Sequence, residues 1–418
     1  MKIDTKCLHE GYHAKNGEPL ALPIYQSTTY RYSSPDEITK LFDLAPGHMY
    51  SRISNPTVEQ VENKLAALEG GVAALCVSSG QSASFLSIVN ILSSGDHFIA
   101  SSKIYGGTFN LFAVTLKRFG IECTFVDQDA ELEELQKAVR PNTKAVFAEI
   151  ISNPAIAVLD IEKFAKFAHS NGLPLIVDNT FPTPLLCRPI EYGADIVVHS
   201  TTKYLDGHAV QIGGAVIDSG NFDWKDYPCL TTPDESYHGL IYTDHFGRAA
   251  YVAKMRVQLV RDIGNYQTAN GAFLLDLGIQ TLGVRMERHC KNAAAVAEEL
   301  SKNDKIESVN YPTLIGNPYK SLADKYLPNG CSGVMSFNIK GSRERAVKFM
   351  EGLKLANNVV HVADVRTCVL HPASSTHRQL SDDQLLSCGI SPGMIRLSVG
   401  IENFEDIIED LLGSLSKI

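Results

Sequence analysis

From Thr57 the chain reads as a helix, because Val58, Val61, Leu65 and Leu68 recur at three- and four-residue intervals. Short apolar runs then alternate with helix-like stretches. The run 73–77 precedes a helix over about 81–92, 97–100 precedes 108–118, 122–126 precedes 130–139, and 145–150 precedes 161–170. The runs 174–177, 196–199 and 214–217 follow, the last two close together. Such alternation implies βαβ units and a mostly parallel sheet with both faces covered. The fold class is α/β. After about residue 250 the periodicity is mainly helical (251–260, 272–282, 292–300), with strand-like segments at 334–339 and 394–399. This predicts a smaller α+β unit. The first 55 or so residues show neither period and are rich in Tyr, Ser and Pro. They read as an arm that needs something else to pack on. The expected division is an arm over 1–56, a large domain over 57–250 and a C-terminal domain over 251–418.

Charge narrows the partners. The 418 residues carry 38 Lys+Arg against 47 Asp+Glu, a formal net charge of −9. That balance argues against nucleic acid, while leaving room for a small anion held by local arginines. No apolar run approaches the roughly 18 residues of a membrane helix. Residues 1–10 lack the apolar stretch of a secretory signal. Nine cysteines are scattered without C-x-x-C spacing, which predicts reduced thiols of a cytoplasmic protein and no metal site.

In parallel α/β sheets, ligands sit at the carboxyl ends of the strands. Four strand ends carry polar residues. Ser78-Ser79-Gly80-Gln81 lies between a strand and a helix start, where free N–H groups and the helix dipole suit a phosphate. A plain turn with a serine cap fits the same residues. It matches neither G-x-x-x-x-G-K-[ST] nor G-x-G-x-x-G. Asp178 ends the run Leu175-Ile176-Val177 and needs a partner, either a ligand cation or an Asx-turn at Asn179-Thr180. Lys203 follows Ile196-Val197-Val198-His199 after Ser200, Thr201 and Thr202. A lysine against apolar walls acts as an amine nucleophile, although most lysines face solvent. Ser200 and Thr202 are placed to donate to one phosphate. Asn153-Pro154 follows 145–149 as a ligand donor or a turn.

Together a phosphate cradle, a strand-end aspartate and a hydroxyl-flanked lysine are the parts that hold pyridoxal 5'-phosphate. That cofactor needs a Schiff-base lysine and an acidic partner for its ring nitrogen. The chain resembles the Cys/Met-metabolism pyridoxal-phosphate enzymes, of aspartate-aminotransferase-like fold (fold type I), over essentially its whole length. The resemblance rests on Tyr50-Ser51-Arg52-Ile53-Ser54-Asn55-Pro56-Thr57, Ser79-Gly80-Gln81, Tyr105-Gly106-Gly107-Thr108, Asp178-Asn179-Thr180, His199-Ser200-Thr201-Thr202-Lys203-Tyr204 and Arg396-Leu397-Ser398-Val399-Gly400. The segments 363–367, 371–377 and 185–190 point within that family to the branch that replaces the acetate of O-acetylhomoserine by sulfide or a thiol.

The resemblance implies that Lys203 carries the cofactor and then acts as base. It implies that Asp178 pairs with the ring nitrogen, and that Ser79, Gly80, Gln81, Ser200 and Thr202 bind the phosphate. Tyr105 would stack on the ring and serve as an acid. Tyr50 and Arg52 would reach the phosphate of a neighbouring subunit. Asn153, Thr367 and Arg396 would hold the substrate carboxylate or the cofactor's phenolic oxygen. The resemblance implies a homo-oligomer, a tetramer built from dimers with shared sites. Ala363 and Thr367 stand where the family usually has Gly and Ser. Gly107 stands where methionine γ-lyases have Cys, and Arg366 where cystathionine enzymes have Glu; both count against those alternatives. Thr268-Ala269-Asn270-Gly271 differs from the usual Ser-Pro-Phe-Asn. A dinucleotide oxidoreductase would need a glycine-rich fingerprint that is absent, and a binding scaffold would not need Lys203 and Asp178 both intact.

Overall fold

The computed structural model describes residues 1–375, 378 and 391–418. Seven strands form the central sheet: β1 (Ala73–Val77), β2 (His97–Ser101), β3 (Glu122–Val126), β4 (Thr143–Glu149), β5 (Leu175–Asp178), β6 (Ile196–His199) and β7 (Gly214–Asp218). Their order is β1-β7-β6-β5-β4-β2-β3. Strands β2 to β6 are mutually parallel, and β7 runs antiparallel between β1 and β6. Alternate residues feed two apolar layers. On β4, Val146 and Ala148 join one core, and Ala145 and Phe147 join the other. A sheet with both faces buried is why these strands read as unbroken apolar runs.

The smaller sheet contains β8 (Ile306–Asn310), β9 (Val334–Ile339), β10 (Asn357–Asn358), β11 (Cys368–Leu370) and β12 (Met394–Ser398), in the order β10-β11-β12-β9-β8. All its pairings are antiparallel except β10 with β11. The helix Ala269–Gln280 is pinned to the helix Pro56–Glu69 by a buried 2.5 Å Lys64–Asp276 pair. Arg285 on the next helix (Leu282–Ser301) donates to the Tyr204 carbonyl. The helices after residue 250 thus pack on the large sheet before the chain enters the second one.

Several expected elements change. The 108–118 helix breaks into Gly106–Asn110, a widened turn Leu111–Thr115 and a tight turn Leu116–Phe119. The 130–139 helix shrinks to Leu132–Gln136. The arm is not irregular throughout. It contains the helices Ile3–His9 and Pro35–Phe42, the second closed by a Ser34–Glu37 capping box with Pro35 in its first turn. Ile3–His9 buries Cys7 in the chain's own core, and Lys6 Nζ donates to the Ala67 carbonyl at 2.9 Å. The arm therefore starts on its own subunit. The eight cysteines described are all free thiols. Among the described residues no helix is long and apolar enough to cross a membrane.

Candidate active site

The strand ends converge. The helix Gly80–Val89 starts at the end of β1, and Ser79 caps it by accepting from Ser82 N–H at 3.1 Å. Gly80 faces Ser200 at the end of β6: a Cβ on Gly80 would lie 2.5 Å from the Ser200 Cβ. Only glycine permits this approach, which places a helix N-terminus beside a serine hydroxyl. The Ser200 backbone is fixed by its N–H to Thr180 Oγ1, 2.9 Å, and its hydroxyl forms no hydrogen bond among the described residues. Gln81 Nε2 donates to Thr108 Oγ1 at 3.3 Å. Thr202 is different. Its hydroxyl donates to the Gly213 carbonyl and accepts from Gly213 N–H, at 3.2 and 3.0 Å. That engages its proton in the loop rather than in the cradle.

Asp178 ends β5. One carboxylate oxygen accepts from Thr180 N–H at 2.9 Å. Protein surrounds the group, although the residue is not fully buried, and burial raises its pKa. An ionised carboxylate there needs a cation. Behind it a fully buried Glu69–His199 contact of 2.5 Å ties the β6 end to the helix Pro56–Glu69, and Asn179 Nδ2 donates to the same Glu69 oxygen. Next to Asp178 in register lies Glu149, a buried carboxyl whose pKa is raised first by burial and then by the Asp178 charge. It accepts from Tyr105 N–H at 2.6 Å and so fixes the residue whose half-exposed ring faces the cleft.

Lys203 follows β6. Burial first, then the Arg396 charge, lowers its amine to about 8, with Cys368 opposing. Its Nζ lies 3.3 Å from His361 Nδ1. Arg396 projects from β12 and is only 6% exposed. Nη1 donates to Asn153 Oδ1 at 3.3 Å, and Nη2 to the Val360 and His361 carbonyls at 3.1 and 3.2 Å. All these acceptors are neutral. A buried guanidinium without a carboxylate is an anion receptor, because its charge stays uncompensated until an anion arrives.

One expected residue lies elsewhere. Thr367, expected at the substrate, is wholly buried. Its hydroxyl donates to Glu402 Oε2 and accepts from Gly400 N–H, both at 2.9 Å, so it packs the loop rather than the cleft. Tyr50 and Arg52 meet each other, with the guanidinium 5.0 Å from the ring centre. With Tyr30, Tyr32 and Arg261 they line a separate surface recess of about 480 Å³. Arg366 turns onto Asp364 and solvent. Of segment 371–377, Thr376 and His377 lie outside the described residues. Sequence reasoning missed Glu149 and His361. Glu149 was visible as the polar end of an apolar strand; His361 sits in a loop with no period to mark it.

The donor set fits pyridoxal 5'-phosphate: a helix N-terminus with an open serine hydroxyl, an amine of lowered pKa and a buried carboxyl in need of a cation. Residues 4–416 match the family of Cys/Met metabolism PLP-dependent enzymes. The chain is 43% identical to an O-acetyl-L-homoserine sulfhydrylase of Leptospira meyeri, covering all of this chain and 97% of that one. It is 45% identical to a homocysteine synthase of Schizosaccharomyces pombe, covering 99% and 98%. A crystal structure of a putative O-acetylhomoserine (thiol)-lyase from Campylobacter jejuni, containing N'-pyridoxyl-lysine-5'-monophosphate, superposes with a TM-score of 0.96 at 39% identity, covering all of both chains. The chain belongs to the Cys/Met-metabolism PLP-dependent enzymes.

Proposed function

We propose that this protein is an O-acetyl-L-homoserine sulfhydrylase. It replaces the acetate of O-acetyl-L-homoserine by sulfide, or by methanethiol, to give L-homocysteine or methionine. The observation that carries the reading is Arg396, a buried guanidinium with only neutral acceptors, on the cleft that holds the Lys203 amine. An amino-acid carboxylate fits it as a planar two-bond partner. Relatives named for this activity match over nearly the whole chain and support the reading.

Pyridoxal 5'-phosphate, when bound, supplies an electron sink for the charge left as protons leave the substrate. Lys203 holds it, and Ser79, Gly80, Gln81 and Ser200 receive its phosphate. Asp178, ionised opposite a cationic ring nitrogen, keeps that nitrogen protonated. Once the substrate amine displaces it, Lys203 Nζ takes the Cα proton. Arg396, with Asn153 beside it, fixes the carboxylate so that the Cα–H faces the amine. Tyr105 stacks over the ring and is placed to give a proton to the departing acetate. Tyr50 and Arg52 complete a phosphate site in a second subunit. A site shared in this way makes the working form a homo-oligomer, a tetramer built from two dimers, and we place it in the cytoplasm. The arm 1–56, the cofactor domain 57–250 and the C-terminal domain 251–418 divide these tasks.

The test is to give the purified holoenzyme O-acetyl-L-homoserine with and without sulfide and to assay homocysteine and 2-oxobutanoate separately. Sulfide-dependent homocysteine supports the reading. 2-Oxobutanoate alone replaces it by a lyase.

A further inference from the structure

His361 is unused by the chemistry above, yet it is the only side chain within hydrogen-bond distance of the Lys203 amine among the described residues. A lysine nitrogen carrying its protons only donates, so Nδ1 is the acceptor and the imidazole proton sits on Nε2. Nε2 is buried without a hydrogen bond and lies 3.7 Å from Asp364 Oδ2. Asp364 is itself held by three bonds from Arg366: its backbone N–H at 2.8 Å, Nε at 2.7 Å and Nη2 at 2.9 Å. The imidazole thus has the Nζ amine at one nitrogen and the carboxylate near the other.

The loop that carries His361 is pinned on several sides. Arg396 donates to the His361 carbonyl, Ala363 N–H donates to Ser398 Oγ at 2.8 Å, and Val365 N–H donates to the Gly207 carbonyl at 2.8 Å. Its anchors are β12 and the segment that follows Lys203. The imidazole is thus placed by the same guanidinium that faces the substrate. Burial first, then the Lys203 charge, pushes His361 down to about 4, with Asp364 opposing and Arg366 and Arg396 adding to the shift. A neutral acceptor therefore faces the amine at working pH.

We propose that His361 is a positioning residue for the base: it receives the Lys203 amine once the cofactor linkage has been released and aims it at the substrate Cα, with the Asp364 charge favouring the proton on Nε2. This rests on the proposed function. The proton transfers stay as derived above, with no new step. An acceptor for the ammonium also favours the protonated amine against the Arg396 repulsion.

The test uses cofactor-free protein. The rate at which the visible band appears on adding pyridoxal 5'-phosphate is followed against pH, because only the neutral amine attacks. Wild type should show a midpoint near 8. His361→Ala should bind one cofactor per chain and melt like wild type, but its midpoint should fall, because the ammonium has lost its acceptor while Arg396 and Cys368 remain. In the loaded enzyme kcat should drop about tenfold with KM within about twofold, the worth of one lost positioning hydrogen bond. His361→Asn, whose Oδ1 accepts where Nδ1 does, should restore midpoint and kcat together. An unmoved midpoint in His361→Ala, or a loss that His361→Asn fails to rescue, overturns the proposal while the proposed function stands. A wild-type protein that never develops the band overturns both.

Discussion

Arg396 Nη1 donates to Asn153 Oδ1 over 3.3 Å and so joins β12 of the smaller sheet to the loop after β4 of the larger one. The bond thus ties the Arg396 guanidinium, across two sheets, to a residue of the Asn153 loop. Arg396→Lys keeps the charge and loses the planar fork. We expect kcat/KM to fall about thirtyfold, roughly 2 kcal/mol, from the worth of a charge-assisted hydrogen bond. The visible spectrum of the holoenzyme should stay as in wild type, since the cradle at Ser79–Gln81 is untouched. An unaltered kcat/KM in Arg396→Ala would remove this residue from the site.

Arg52 Nε is buried without a hydrogen-bond partner among the described residues, in a recess distinct from the Lys203 cleft. A shared site explains such an orphan. Arg52→Ala and Lys203→Ala should each be nearly inactive. Mixed under proven subunit exchange, they should recover up to about a quarter of the wild-type rate, the share of intact sites on random pairing in a two-fold dimer. No recovery would place Arg52 outside any neighbour's site.

Gly107 leaves no room for a side chain. An added Cβ would meet the Tyr105 ring at 2.5 Å and Gln81 Nε2 at 3.1 Å. Gly107→Cys must therefore displace the ring that faces the cleft. The expected outcome is slower homocysteine formation and a higher proportion of 2-oxobutanoate, read from the two products in one assay. A substrate-specificity change of this kind is a difference in transition-state binding between two acceptors. An unchanged ratio would dissociate Tyr105 from that choice.

Asp218, at the end of β7, is pushed up to about 7, first by burial and also by the Asp195 charge, against help from Gly220 N–H and Arg248. Its folded pKa is raised from the ordinary 3.8. The stability its protonated form contributes is therefore full below 3.8 and lost as pH rises through about 7. Asp218→Asn keeps the acceptor for Gly220 and never ionises. It should exceed wild type by at least about 1 kcal/mol in denaturant at pH 8. The advantage should shrink as pH falls toward 4. A constant difference across that range would rule out the carboxyl as its source.

Ala363 sits at a φ of 66°, in the left-handed region. A Cβ there costs about 1–2 kcal/mol, part of which is offset by a less flexible unfolded chain. Ala363→Gly should raise the melting temperature by about a degree, measured on the holoenzyme. A lower melting temperature would mean the loop draws more from its methyl packing than the backbone loses.

What the sequence revealed depended on period and on position. Strands such as Ala73–Val77 and Ile196–His199 were plain because burial on both faces makes them unbroken apolar runs. Lys203, Asp178 and Ser79–Gln81 stood out as candidates because strand ends are few and polar residues there are conspicuous. Pro35–Phe42 was missed because its apolar stripe, Ile38, Leu41 and Phe42, spans barely two turns, so its clearest signal is the Ser34 cap. Leu111–Thr115 departed from the expected helix where the winding widens, which periodicity does not encode. Thr367 was placed at the substrate by resemblance, and only the partner 35 residues away, Glu402, reveals its packing role. His361 was invisible for the same reason: its meaning comes from Lys203, 158 residues earlier.

The position of β7 governs when the protein can become an enzyme. Translation delivers β1, with Ser79–Gln81 behind it, long before β7, yet β7 is what bridges β1 to β6. Until Gly214–Asp218 has left the ribosome and slid between them, Gly80 and Ser200 have no reason to be neighbours. Closure of that gap is a late, long-range event of the slow kind. In chain order Ser79–Gln81 and Ser200 all precede β7, whereas Arg396 arrives only with β12. The meeting of Gly80 with Ser200 thus needs only the first sheet, and the meeting of Arg396 with Asn153 needs both.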